Sequence, residues 1–159
     1  MTKKTCYKAK WKALNKIRGS FEQHYAKLRS YVAQLKSVDK EGRFELKTEV
    51  DSDGKVVFQR LYIGFSALRW GFVAGCRSLL GFDGAFLKIV LGGAILSAVA
   101  KDSNNKMYYV AWAVVERKNE ETWTWFIEFL FEELGVIDGF GWAVISDQQK
   151  VHRFSYSII

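Results

Sequence analysis

The chain contains no proline and only two cysteines and two histidines among its 159 residues. Without proline, chain reversals fall to glycine and to Asp or Asn, the residues that tolerate turn geometry. Cys6 and Cys76 are too few for a disulfide framework or a zinc site and fit a reducing compartment. His24 sits among polar helix neighbours and His152 in the tail, with no Cys/His spacing of a metal motif. Long apolar runs are lacking too. The uncharged stretch 89–100 falls well short of the roughly 20 residues of a spanning helix, and Gly92-Gly93 interrupts it. No apolar block follows Lys3, Lys4, Lys8, Lys10 and Lys12, so no signal peptide is read and a soluble intracellular protein is expected. Acidic charge is scarce only at the front. Residues 1–60 hold 15 Lys+Arg against 7 Asp+Glu, whereas 61–159 hold 9 against 10. A basic segment before a nearly neutral core fits an acidic partner, nucleic acid being the commonest, or a solvated helix surface.

Apolar residues make up 49% and aromatics 16%, enough for a sizeable core. Two helices are predicted first. Lys8, Lys12 and Lys16, four apart, form a basic ridge on the first, with Arg18 at its end. Ser20 and Gln23 have capping-box spacing for the second, whose Phe21, Tyr25, Leu28, Val32 and Leu35 form one stripe. From Arg43 the period changes to alternation, and Asp53-Gly54 marks a β-hairpin. A short helix is expected at 67–76. An apolar strand at 78–90 is broken only by Asp83 and Lys88. Gly92-Gly93 then allows a tight reversal into a strand at 95–100, and Ser103-Asn104-Asn105 turns into a third at 107–115. Asn119 caps the next helix and Gly135 ends it, with Trp123, Phe126, Ile127, Leu130 and Leu134 on one face. A short fourth strand, 142–146, stops at Asp147.

A helical crossover returning to a parallel strand beside the first obeys the right-handed rule. The expected class is therefore α/β: a three-strand meander, a helix and a parallel fourth strand, as in the opening of a ribonuclease H-like fold, preceded by two helices and a β-hairpin. The expected division is a basic helical and hairpin segment (1–77), a partial core (78–150) and a tail (151–159). Such a sheet needs cover on both faces, yet the core segment has one helix. One face stays bare unless the N-terminal helices fold back over it.

Asp83 stands in an apolar strand, where an ionised carboxylate is costly unless paired or metal-bound. If the first and fourth strands are neighbours, Asp83 and Asp147 project into one cleft. Carboxylates so placed can bridge two divalent cations about 4 Å apart and support phosphodiester cleavage. Mg²⁺ suits such oxygen ligands. The same residues also read as ordinary turn chemistry at Asp83-Gly84 and an exposed strand end at Asp147. Glu116 and Asp102 read as solvated, and Gly139-Phe140-Gly141 does not complete a dinucleotide fingerprint.

The tract GFDGAFLK, the text GGAILSAVAKDSNNKMYYVAWAVVE, the helix ETWTWFIEFLFEELG and the strand end WAVISDQQK resemble, in order and spacing, the Mutator-like (MuDR-type) transposases of plants. Upstream, KAKWKALNKIRGSFEQHYAKLRSYVAQL and FQRLYIGFSALRWGFVAGCR are similar to the segment before the catalytic domain in that family, so the likeness covers roughly positions 6–150. The resemblance implies DNA transposition by metal-dependent strand cutting and joining, with Asp83 and Asp147 as the first two catalytic acids and ligands of Mg²⁺ or Mn²⁺. It further implies DNA and other transposase chains as partners, no membrane, and a nuclear location. Thr122 to Phe126 match a packing signature of the family. Family members continue past the second aspartate with a glycine, further strands and helices, a Cys/His pair and a third catalytic glutamate. Here Lys150 is followed by Val151-His152-Arg153 and the chain stops at Ile159, without the flanking zinc-binding elements. Ser78 and Tyr109 stand where relatives often carry proline. The expectation is an inactive transposase remnant, or a DNA- or transposase-binding module using its basic helices.

Lys8, Lys12, Lys16 and Arg18 are expected to meet phosphates without reading sequence. Neutralising about four phosphates gives a slope of log affinity against log salt near −3.6 on duplex DNA. Fluorescence anisotropy across a salt series measures it. Binding that ignores salt, or survives charge removal at all four positions, favours the solvated surface.

Overall fold

A computed structural model describes residues 2–18, 21–88 and 92–146. Along the chain run α1 (Lys3–Arg18), α2 (Phe21–Ala26), α3 (Leu28–Val38), β1 (Arg43–Val50), β2 (Val56–Gly64) and α4 (Ser66–Gly75). Then follow β3 (Leu79–Phe86), β4 (Ala94–Lys101), β5 (Met107–Val115), α5 (Glu120–Leu134) and β6 (Ala143–Ser146). All six strands join one sheet in the order β1-β2-β5-β4-β3-β6. Every pair is antiparallel except β3 with β6, and α5 supplies the long connection that a parallel pair needs. The fourth core strand therefore lies parallel to the first, as the sequence pattern predicts.

Local chemistry sets the reversals. Gly54 (φ +75°), Gly92 (φ +70°) and Gly93 (φ +94°) occupy the left-handed region that glycine enters without a Cβ clash. Between β4 and β5, Asp102 Oδ1 accepts the N–H groups of Asn104 and Lys106, and Asn105 takes φ +61°. Asp102 is thus a turn former, whereas the pattern alone left it solvated. At α5 the Asn119 side chain accepts the Thr122 N–H and the Thr122 hydroxyl accepts the Asn119 N–H. Gly135 ends the helix at φ +67°.

Two expectations change. The stripe Phe21–Leu35 does not run as one helix. The chain turns at Lys27, whose N–H bonds His24 O at 3.1 Å, and α3 begins anew at Leu28. The predicted cap Ser20 lies outside the described residues. The first core strand ends at Phe86, before Lys88, and residues 89–91 also lie outside them.

Helices cover one face of the sheet from β2 to β3 and the other face over the hairpin only. On one, α5 lays Trp123, Phe126, Ile127 and Leu130 over Leu80, Phe82, Leu96, Ala98, Ala113 and Val115. α4 joins this layer, with Phe72 stacked on Trp142 at 5.8 Å between ring centroids and Tyr108 Oη donating to Leu68 O. On the other, α3 folds back over the hairpin, and Val32, Phe44, Leu61 and Ile63 form a second core with Trp112 at its border. The basic N-terminal part therefore supplies cover over β1, β2 and the border of β5, while the Asp83 side of β3 stays open. It also supplies two strands, so the sheet runs unbroken across position 77.

Tyr62 joins the layers. Fully buried on β2, it meets Trp125, Phe126 and Phe129 at centroid distances of 6.3, 5.7 and 5.5 Å, and its hydroxyl donates to Glu133. Tyr62→Ala should cost about 4 kcal/mol, the scale of removing a buried aromatic. Urea unfolding of the whole chain checks this. A loss below about 1 kcal/mol would show that the hairpin and α5 fold without each other.

Candidate catalytic site on the open strand edge

Alternation along β3 sends Leu80 and Phe82 under α5 and Asp83 to the opposite face. Asp83 is exposed. This corrects the expectation that its charge sits in apolar surroundings: water reaches the carboxylate, and no burial cost demands a partner. Asp83 Oδ1 accepts the Gly84 N–H at 2.8 Å, and Asp83 O accepts the Ser97 hydroxyl at 3.4 Å from the paired position on β4. The Asp-Gly pair is also no turn, because both residues lie inside the strand. Room at 84 is tight. A Cβ there would stand 3.0 Å from Lys118 Cε and from Trp123, and 3.1 Å from Leu96.

Asp147 lies outside the described residues. The strand leading to it is described: Ser146, the last residue of β6, pairs with Phe82, the neighbour of Asp83. Asp83 is thus placed at the end of the parallel pair. Among the described residues no group of three or more His, Cys, Asp or Glu could hold a metal ion.

Lys8, Lys12 and Lys16 are exposed along α1, while the Arg18 side chain lies outside the described residues. Tyr7 and Trp11, 72% and 56% exposed, share that helix, so its surface is aromatic as well as basic. No described helix is long and apolar enough to cross a membrane.

A family model, the MULE transposase domain, matches residues 79–153, just under half of the chain. Residues 79–153 are thus similar to the MULE transposase domain. No match emerged among curated proteins. None emerged among solved structures either.

Within the described residues the MULE segment comprises β3, β4, β5, α5 and β6, so β1, β2 and α4 come from outside it. Two charged clusters, absent from the sequence reading, bind those added strands to the MULE helix. Arg60, buried on β2, donates to Glu116 at 2.9 Å and to Glu121 at 2.5 Å. Glu116 is therefore an ion-pair partner, which corrects its reading as a solvated residue. Burial alone would lower the Arg60 pKa, but the two carboxylates outweigh it and raise it. In the second cluster Glu133 meets the Tyr62 hydroxyl and Arg69, the latter at 3.3 Å, while Arg43 bonds Glu132 at 2.6 Å and covers the Phe129 ring. An arginine inside the apolar text VVFQRLYIG was the one sequence signal for such pairing.

Burial pushes Glu133 above the usual carboxylate range despite help from Tyr62 and Arg69. The folded state therefore holds this proton more tightly than the unfolded chain. The resulting stabilisation is complete below pH 4.5, the ordinary value, and is lost as pH rises through the folded pKa. Glu133→Gln should remove this dependence, so the variant gains on the parent as pH rises from 4.5 in paired urea titrations. A stability difference constant with pH would contradict it.

Proposed function

We propose that this is a transposase-derived protein whose MULE segment keeps the strand edge used for phosphodiester chemistry on DNA, with Asp83 and Asp147 as its carboxylates. One observation carries the reading. The parallel register brings Ser146, the residue before Asp147 in the sequence, beside Phe82, the residue before Asp83. The order β5-β4-β3-β6, a meander with a parallel fourth strand, supports a ribonuclease H-like core, extended here by the hairpin β1-β2.

The donor chemistry fits Mg²⁺ or Mn²⁺ in part. Asp83 is an exposed, hard oxygen ligand with one oxygen on the Gly84 N–H and the other without a hydrogen-bond donor among the described residues. A cation held by Asp83 and Asp147 would supply activation of water and stabilisation of the leaving oxygen. The described residues contribute this single carboxylate, and with Asp147 the set reaches two. Two acids leave a two-cation centre short of ligands, so we infer weak metal binding and no strand cleavage by this chain alone.

A DNA-binding role has its own support in the exposed lysines and aromatics of α1. On this reading the chain holds DNA or another transposase chain, and the nucleus is its place of action.

Mn²⁺ titration followed by electron paramagnetic resonance tests the site. The parent chain should bind the ion, and Asp83→Asn and Asp147→Asn should each weaken binding by about tenfold or more, as ligand loss does. Equal binding by all three would remove the two aspartates from the site. Metal-dependent cleavage of duplex DNA that vanishes in Asp83→Ala would show a complete centre and overturn inactivity.

A further inference from the structure

The main chain of β3 has an unusual end. Gly84 lies two residues past Phe82, the last position that β6 pairs. Its N–H and C=O are the groups that a longer neighbouring strand would take, and buried or half-buried peptide groups need partners. Two side chains take them instead. Asp83 Oδ1 accepts the N–H at 2.8 Å from the open face, and Lys118 Nζ donates to the C=O at 2.8 Å from the α5 face. Lys118 reaches this point from the loop between β5 and α5, with its stem against Gly84 and its ammonium 5.9 Å from the Phe86 ring centroid. A Cβ at 84 would stand 3.0 Å from Lys118 Cε, so the glycine leaves the lysine room to lie close.

We propose that Lys118 is a positioning residue for Asp83. The ammonium fixes the Gly84–Ala85 peptide, which sets the plane of the preceding one. That preceding peptide carries the N–H on which the Asp83 carboxylate rests. Lys118 thereby holds the carboxylate at the strand edge with one oxygen engaged and one presented. No atom of Lys118 needs to touch metal or DNA. The assignment rests on the metal-site reading of Asp83 for its purpose, but its geometry is independent of that reading.

Two readouts on the full chain separate the alternatives. The first is metal-free hydrogen exchange by NMR. Lys118→Met keeps the aliphatic stem and removes the donor. The Gly84 amide should then exchange about tenfold faster while the Ala98 amide in central β4 is unchanged, the pattern of local rather than global opening. Lys118→Arg, which retains a donor, should restore protection. Unchanged Gly84 exchange in Lys118→Met overturns the proposal. The second readout is the Mn²⁺ titration with the ion alone. Lys118→Met should weaken binding by about tenfold, the scale for an outer partner of a ligand, with Lys118→Arg within about threefold of the parent. A positive charge that merely stood nearby would act in the opposite sense, because its removal tightens cation binding. Unchanged or tighter binding in Lys118→Met therefore also overturns it. If Asp83→Asn leaves Mn²⁺ binding untouched, the metal-site reading fails, and Gly84 exchange alone decides whether Lys118 sets the Asp83 geometry.

Discussion

Tyr62 is the point at which the two halves of the sheet become one body. It stands on β2, outside the MULE segment, and its ring is enclosed by Trp125, Phe126 and Phe129 of the MULE helix. The hydroxyl donates to Glu133, a buried carboxylate that Arg69 also holds. Aromatic area, edge-to-face ring geometry and a charge-assisted hydrogen bond therefore act at one residue. Arg60, two residues earlier on the same face of β2, repeats the logic with Glu116 and Glu121. Strand β2 is thus zipped to α5 by polar contacts at both ends of an aromatic centre.

This seam governs the other face too. Once β2 pairs with β5 through Arg60↔Val115 to Ile63↔Trp112, the intervening residues Leu61 and Ile63 point away from α5. That apolar row would be bare without α3, whose Val32 packs on Leu61, Ile63 and Phe44. Asp39 closes the same corner by accepting N–H bonds from Gly42 and Ser66 at 2.9 and 2.8 Å. Burial tends to raise its pKa, but those donors prevail and lower it. The N-terminal segment is therefore structural as well as basic. The two sheet edges differ in kind. β1 carries Glu45, Lys47 and Glu49 and a register shift at Lys47/Thr48, devices that discourage further pairing. β6 is short and uncharged, with Val144 and Ile145 exposed.

The candidate site was legible in part. Asp83 stood out as a charge in an apolar strand, and Asp147 as the end of the next parallel one. Its charge needs no partner, however, because the residue is exposed. Leu79–Phe86 is apolar at most positions, so alternation could not tell which row α5 covers. Lys118 was unreadable as a partner of Gly84, since 34 residues separate them and β4 lies between in the sheet. Arg60, Tyr62 and Glu133 were hidden for the same reason.

What the sequence determined by itself was local. Asn119 with Thr122, Gly135, Gly54 and the Gly92-Gly93 pair act through their own backbone and nearest neighbours, so helix ends and reversals followed from residue type. Helix α5 gave the chain the length to cross from β5 to a β6 parallel to β3. Tertiary structure alone decided that the hairpin joins the sheet beside β5, that α3 turns back to cover it, and that Asp83 faces water. Each depends on which apolar row of a two-faced strand finds a complementary surface. Strand periodicity states that there are two rows, and only packing chooses between them.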